Sequence, residues 1–266
     1  MCQEHAVARL RPGLGTLVAI EARARDTDSA IQAVAAGFEA IRGIEARLHP
    51  ARPGSDLARL NRASAGQRLP VHASTVAMLE LCRQLHVLSG GCFEPALPGR
   101  GSVMHWLPTG LRAVLVQRRA WVDLGGIAKG YAIDLAVAAL RRTGATAGLV
   151  NAGGDLRAFG SGGWPVLLRI GATAPQAMEL RNCALAASDP AFANRPGEHH
   201  GYYPGVRGSR SGRYRSPGAV AVIAPAAALA DALTKIVMFV APARSARILG
   251  RYGARAVGCK VHPGLT

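Results

Sequence analysis

The chain has 266 residues, a formal net charge of +16 and 49% hydrophobic residues, with a mean hydropathy of +0.15. It is long enough for a substantial core and too apolar for disorder over most of its length. The charge by itself suggests nucleic acid, yet only Lys129, Lys235 and Lys260 of the 32 basic residues are lysines; so lopsided a use of arginine reads as compositional drift, and no stable nucleic-acid partner is expected.

Residues 15–21 read as a strand, and 28–48 as a long helix with Ile31, Val34, Phe38, Ile41, Ile44 and Leu48 on one stripe. After a proline-rich break, Ser55 caps a short helix to Asn61. Residues 74–89 form a second amphipathic helix, closed by Gly90-Gly91. Residues 94–110 read as loop, 114–116 and 121–124 as strands, and 127–142 as a helix. Strands follow at 148–151 and 165–170, with 160–163 as the turn between them. Residues 190–218 are rich in Arg, Gly, Pro, His and Tyr, which reads as a long loop or lid. A buried strand at 219–224 and helices at 229–239 and 243–252 complete the chain. Strands and helices mix irregularly, with no repeat and no linker, so α+β is favoured over a doubly wound sheet.

Five scattered cysteines without a CxxC pair argue against a zinc site or a disulfide framework and fit a reducing compartment. No basic stretch followed by an apolar one opens the sequence, so a cytoplasmic location is expected. The greasiest window, 219–242, is broken by Pro225, Asp231 and Lys235, so no membrane span is expected.

Two glycine-paired segments carry the chemistry. In Asp123-Leu-Gly-Gly-Ile-Ala-Lys-Gly-Tyr131, Gly125 and Gly126 let a backbone approach a bulky anion, and Lys129 enters the first turn of a helix. A lysine at that positive end is unfavourable unless an anion joins it, which points to a phosphate-bearing ligand. The bland alternative is a tight strand-to-helix turn with Lys129 in solvent. In Asn151-Ala-Gly-Gly-Asp155, Asp155 either accepts from a ribose hydroxyl, or holds a basic partner, or simply follows a hairpin turn at Gly153-Gly154. A third segment, Asp231-Ala-Leu-Thr-Lys235, puts Asp231, Thr234 and Lys235 on one helical face inside an apolar run. It is either an Asp231–Lys235 ion pair or an oxygen-donor Mg²⁺ site using Asp231 and Thr234. Where lysine survives the drift to arginine, a compact ammonium is favoured over a planar fork.

Taken in order, these segments resemble the ApbE family, the FAD:protein FMN transferases. Leu14-Gly15-Thr16 is similar to its MGT, the segment from Ser55 to Asn61 to its S-x-x-x-x-L-N, and Gly91-Cys-Phe-Glu-Pro95 to its G-x-F-D-P. The D-L-G-G-I-A-K-G-Y and N-A-G-G-D strings are matched at Asp123 and Asn151, and Asp231-Ala-Leu-Thr-Lys235 stands at its D-A-L-S-T segment. The resemblance implies one domain over residues 1–266 with mixed β-sheets flanked by helices, using FAD as substrate and Mg²⁺. The reaction implied is transfer of the FMN half of FAD to a Thr or Ser hydroxyl of an acceptor flavoprotein, releasing AMP. It implies that Asp123, Gly125, Gly126, Lys129, Asn151, Gly153, Gly154, Asp155 and His200 line the FAD site. Gly126, Asp231 and Thr234 would hold the metal, with Asp231 as the nearest candidate for catalytic base. Three places depart from the pattern: Lys235 replaces the family's metal-binding Thr, Tyr203 replaces the Asp of its H-x-x-D-P at His200, and Ala187-Ser188-Asp189 stands where it has T-S-G. Lys235 then either supplies part of the metal's charge, or leaves Mg²⁺ fewer ligands, or keeps it out.

Overall fold

The computed structural model describes residues 4–97, 99–171, 174–189 and 218–257. It opens with an antiparallel hairpin of β1 (His5–Gly13) and β2 (Thr16–Ala24), turning at Leu14 and Gly15, both at positive φ. Next comes α1 (Thr27–Leu48), which starts where the Asp26 carboxylate accepts from Ser29 N. Its buried face holds Val34, Phe38, Ile41, Ile44 and Leu48 as expected, but not Ile31. Ala30, Ala33 and Gly37 face inward, while Ile31 is 43% exposed. Small residues are needed there because a Cβ on Gly37 would run into Leu140 and Ile20.

The chain continues through α2 (Asp56–Arg62), capped by Ser55 as expected, β3 (Arg68–Pro70) and α3 (Ala73–Ser89). Gly90 ends α3 in the left-handed conformation. Next are β4 (Trp106–Pro108), β5 (Ala113–Val116), α4 (Ala128–Arg142), β6 (Ala147–Ala152), β7 (Asp155–Phe159), β8 (Trp164–Leu168) and β9 (Gln176–Leu180). The last elements are β10 (Ala184–Ser188), β11 (Val220–Ala224), α5 (Ala227–Phe239), α6 (Pro242–Arg251) and β12 (Arg255–Val257).

Three expectations are corrected. Residues 121–124 make only an isolated bridge, Ala96 with Val122, because Asp123 turns back on the backbone of Gly125. The stretch 94–110, expected as loop, contains β4. Between the two strands expected at 148–151 and 165–170 lies a further one, β7, so the turn at 160–163 joins β7 to β8. Residues 190–217 of the expected lid, His200 and Tyr203 among them, lie outside the described residues.

The main sheet has the order β1-β2-β6-β7-β10-β11-β12, and a smaller one has the order β3-β5-β4. Every described pairing is antiparallel, so the sheets are not mixed in strand direction. Helices α1, α4 and α5 cover one face of the main sheet. The β8–β9 hairpin covers part of the other, where Trp164, Leu168 and Leu180 pack on Leu156, Ala158 and Leu185. Side chains alternate between the faces. On β7 this sends Asp155 and Arg157 to the helical face, and Leu156 and Ala158 to the hairpin. Among the described residues no helix is long and apolar enough to cross a membrane.

Candidate active site

The second glycine pair forms a hairpin turn. Gly153 and Gly154 have φ of 59° and 95°, Ala152 pairs with Asp155 across them, and Asn151 Oδ1 accepts from Gly154 N at 3.0 Å. Two consecutive positive-φ residues suit a two-residue hairpin, and only glycine takes both without strain. The turn brings Asp155 back onto the helical face, where it is 2% exposed. Asn151 pairs with Leu156 and so belongs to the opposite face.

The first glycine pair leads into α4. Asp123 Oδ1 accepts from Gly125 N at 2.8 Å, and Leu124 O accepts from Ile127 N and Ala128 N. Lys129 is the second residue of the helix. Its side chain does not run out into solvent: Nζ lies 3.0 Å from Asp155 Oδ2. The anion that a lysine at this helix end requires is thus already present, supplied by the second motif.

The third segment is brought in by α4. Ala226 gives α5 no side-chain cap. Asp134 of α4 does the work instead, its two oxygens accepting from Ala227 N at 2.8 Å and Ala228 N at 2.9 Å, with Arg157 ion-paired to it. The helices touch at Gly130, where a Cβ would collide with the Ala227 carbonyl. This close approach sets Asp231, 3% exposed, beside the start of α4, with Gly130 N 3.4 Å from its Oδ2. Lys235 Nζ is ion-paired to Asp231 Oδ1 and donates to the Asp231 carbonyl at 3.1 Å. Its Cε lies 3.6 Å from where a Cβ on Gly126 would be.

Two carboxylates and two ammonium groups therefore share one buried cluster on the helical face. Burial, and next the charge of Asp231, push the Asp155 carboxyl up to about 6, against the pull of Lys129 and Lys235. Beside the cluster lies a cleft of about 410 Å³ lined by Asp123, Gly125, Lys129 and Gly153. Its remaining wall comes from Leu14 and Thr16 at the first hairpin and from Ile44, Glu45, Leu48, His49 and Pro50 at the end of α1. The residues from α1 were not foreseen. The proline-rich break after the helix was their only sign in the sequence. Asn151 and Gly154 line a different cleft, of about 430 Å³, against β8.

The ApbE family model matches residues 14–106 and 100–257. The chain belongs to the ApbE family. It is 29% identical over 187 residues to an FAD:protein FMN transferase of Rhodobacter capsulatus, an alignment covering 58% of this chain and 36% of that relative. This ApbE chain thus matches only about a third of the length of that curated relative. The same fold occurs in the flavinyl transferase ApbE of Pseudomonas stutzeri, in its apo form, with a TM-score of 0.78 at 19% identity over 96% of this chain and 90% of that one. It recurs in the ApbE protein of Thermotoga maritima, with a TM-score of 0.80 at 21% identity over 95% and 93% of the two chains.

The Mg²⁺ expected from the ApbE resemblance does not fit the residues present. Asp231 Oδ1 already faces an ammonium, and its Oδ2 lies toward Gly130 N. Thr234 is fully buried, donating to the Asp231 carbonyl at 2.7 Å and sharing a 2.7 Å hydrogen bond with Ser188 of β10. Among the described residues no three acidic, His or Cys side chains converge on one point.

Proposed function

We propose that this chain is an FAD:protein FMN transferase. The supporting observation is the paired-lysine cluster, with Lys129 on the wall of a cleft that Asp123 and Gly125 of the glycine-paired loop also line. In the proposed reaction the hydroxyl oxygen of a Thr or Ser on the acceptor flavoprotein attacks the FMN-side phosphorus of FAD. A phosphoester bond forms, the pyrophosphate bridge breaks, and AMP leaves with the bridging oxygen. The hydroxyl proton passes to a carboxylate, for which Asp231 beside the Gly126 loop is the proposed acceptor.

Lys129 and Lys235 offset the negative charge that grows on the phosphate oxygens, inside a site where burial strengthens that effect. Asp123, Gly125, Gly126 and Gly153 shape the backbone that meets FAD, and Asn151 and Gly154 fix the turn that aims Asp155. Mg²⁺ has no part in these steps.

The test is to incubate the chain with FAD and a flavoprotein carrying the target Thr or Ser, with and without Mg²⁺. AMP release and the mass of one FMN on the acceptor are expected. The ammonium at Asp231 favours one second reading, a protein that binds FAD without transferring it. Tight FAD binding with no AMP under any metal would select that reading instead.

A further inference from the structure

We infer that the Lys235 ammonium takes the position beside Asp231 that a divalent cation would otherwise hold, making this a metal-free site; its meaning for catalysis rests on the transfer reading above. A carboxylate as buried as Asp231 is costly unless a cation accompanies it. Lys235, one helical turn on, supplies that cation from within α5, and its ammonium spends two donors on Asp231. A dication entering here would have to displace the ammonium or lie against it, and both carboxylates are already balanced by Lys129 and Lys235. The hydroxyl that would complete a metal shell is turned to β10 instead.

Composition points the same way. A chain that uses arginine almost everywhere places both of its described lysines in this one cluster. Arginine could not replace them, because a guanidinium is a planar fork, whereas an ammonium is a compact point charge close to a metal ion in its demands. Its single charge also holds less tightly to phosphate than a dication would.

Manganese alone is the probe, titrated into chelator-treated protein without FAD or acceptor and followed by the loss of the free-ion paramagnetic signal. The wild type should show no Asp231-dependent binding up to millimolar manganese. Lys235→Thr should gain binding, about tenfold tighter or more, and lose it again when combined with Asp231→Asn. Lys235→Ala gives the same readout should the Thr variant fold poorly, because alanine suits a helix best. Manganese binding by the wild type that Asp231→Asn removes would overturn the inference. So would a failure of both Lys235 variants to gain it. Since no flavin enters this titration, a failed transfer assay leaves its result standing.

Discussion

At Asp155 two effects oppose each other, burial with the charge of Asp231 raising the carboxyl to about 6, and Lys129 with Lys235 drawing it down. The folded value lies above the ordinary 3.8, so between 3.8 and about 6 the folded protein holds a proton that the unfolded chain has released. This contribution to stability is complete below 3.8 and is lost as pH rises through about 6. The stability of the wild type relative to Asp155→Asn should therefore fall across that window, by about 3 kcal/mol. Thermal melts of both proteins against pH would show it, and a constant difference would refute it. Lys129→Met tests the cleft itself. It should weaken FAD binding by about tenfold or more, or about 1.4 kcal/mol, as read from flavin fluorescence. The two halves of this cluster differed in how readable they were. Asp231 and Lys235 are four apart on a helix, so their pairing is one of the two readings that the spacing offers. Lys129 and Asp155 meet only through the register of β6 and β7, which the spacing of residues along the chain does not contain.

Element by element, the site depends on how α4 meets α5. Asp134→Ala would strip two N–H groups of α5 of their acceptor and leave Arg157 without its partner. A cost of about 2–4 kcal/mol in urea unfolding is expected. Gly130→Ala should cost about 1–3 kcal/mol by overpacking, and by moving Asp231 it should also weaken FAD binding, which a purely local strain would not do. Neither role was visible beforehand, because Asp134 and Ala227 are far apart in sequence and nothing local marks one as the cap of the other. The helices themselves were legible, since their apolar residues recur with helical period. The strands were less so. β1 is laden with Arg and half polar, β7 begins on the very carboxylate of the glycine motif, and 121–124 has the composition of a strand but meets residues 95–100 through a single bridge and a few backbone hydrogen bonds.

Across the whole molecule, the main sheet separates a large apolar cluster under the helices from a small one under the β8–β9 hairpin. Trp164 anchors the small cluster at 4% exposure, with the Arg23 guanidinium 4.6 Å over its ring. Trp164→Ala should cost about 3 kcal/mol and speed amide exchange in β8 and β9 well before β2 and β6. Because the hairpin and the charge cluster lie on opposite faces, FAD affinity should barely change; a loss as large as that of Lys129→Met would contradict this layering. The borrowed cap on α5 bears also on the order in which the chain folds. A helix of 13 residues is marginal by itself in water, and this one has no cap of its own to start it. It settles once α4 has docked on the sheet and presents Asp134. Asp231 and Lys235 travel on that helix, so the charge cluster should close only after the scaffold beneath it exists.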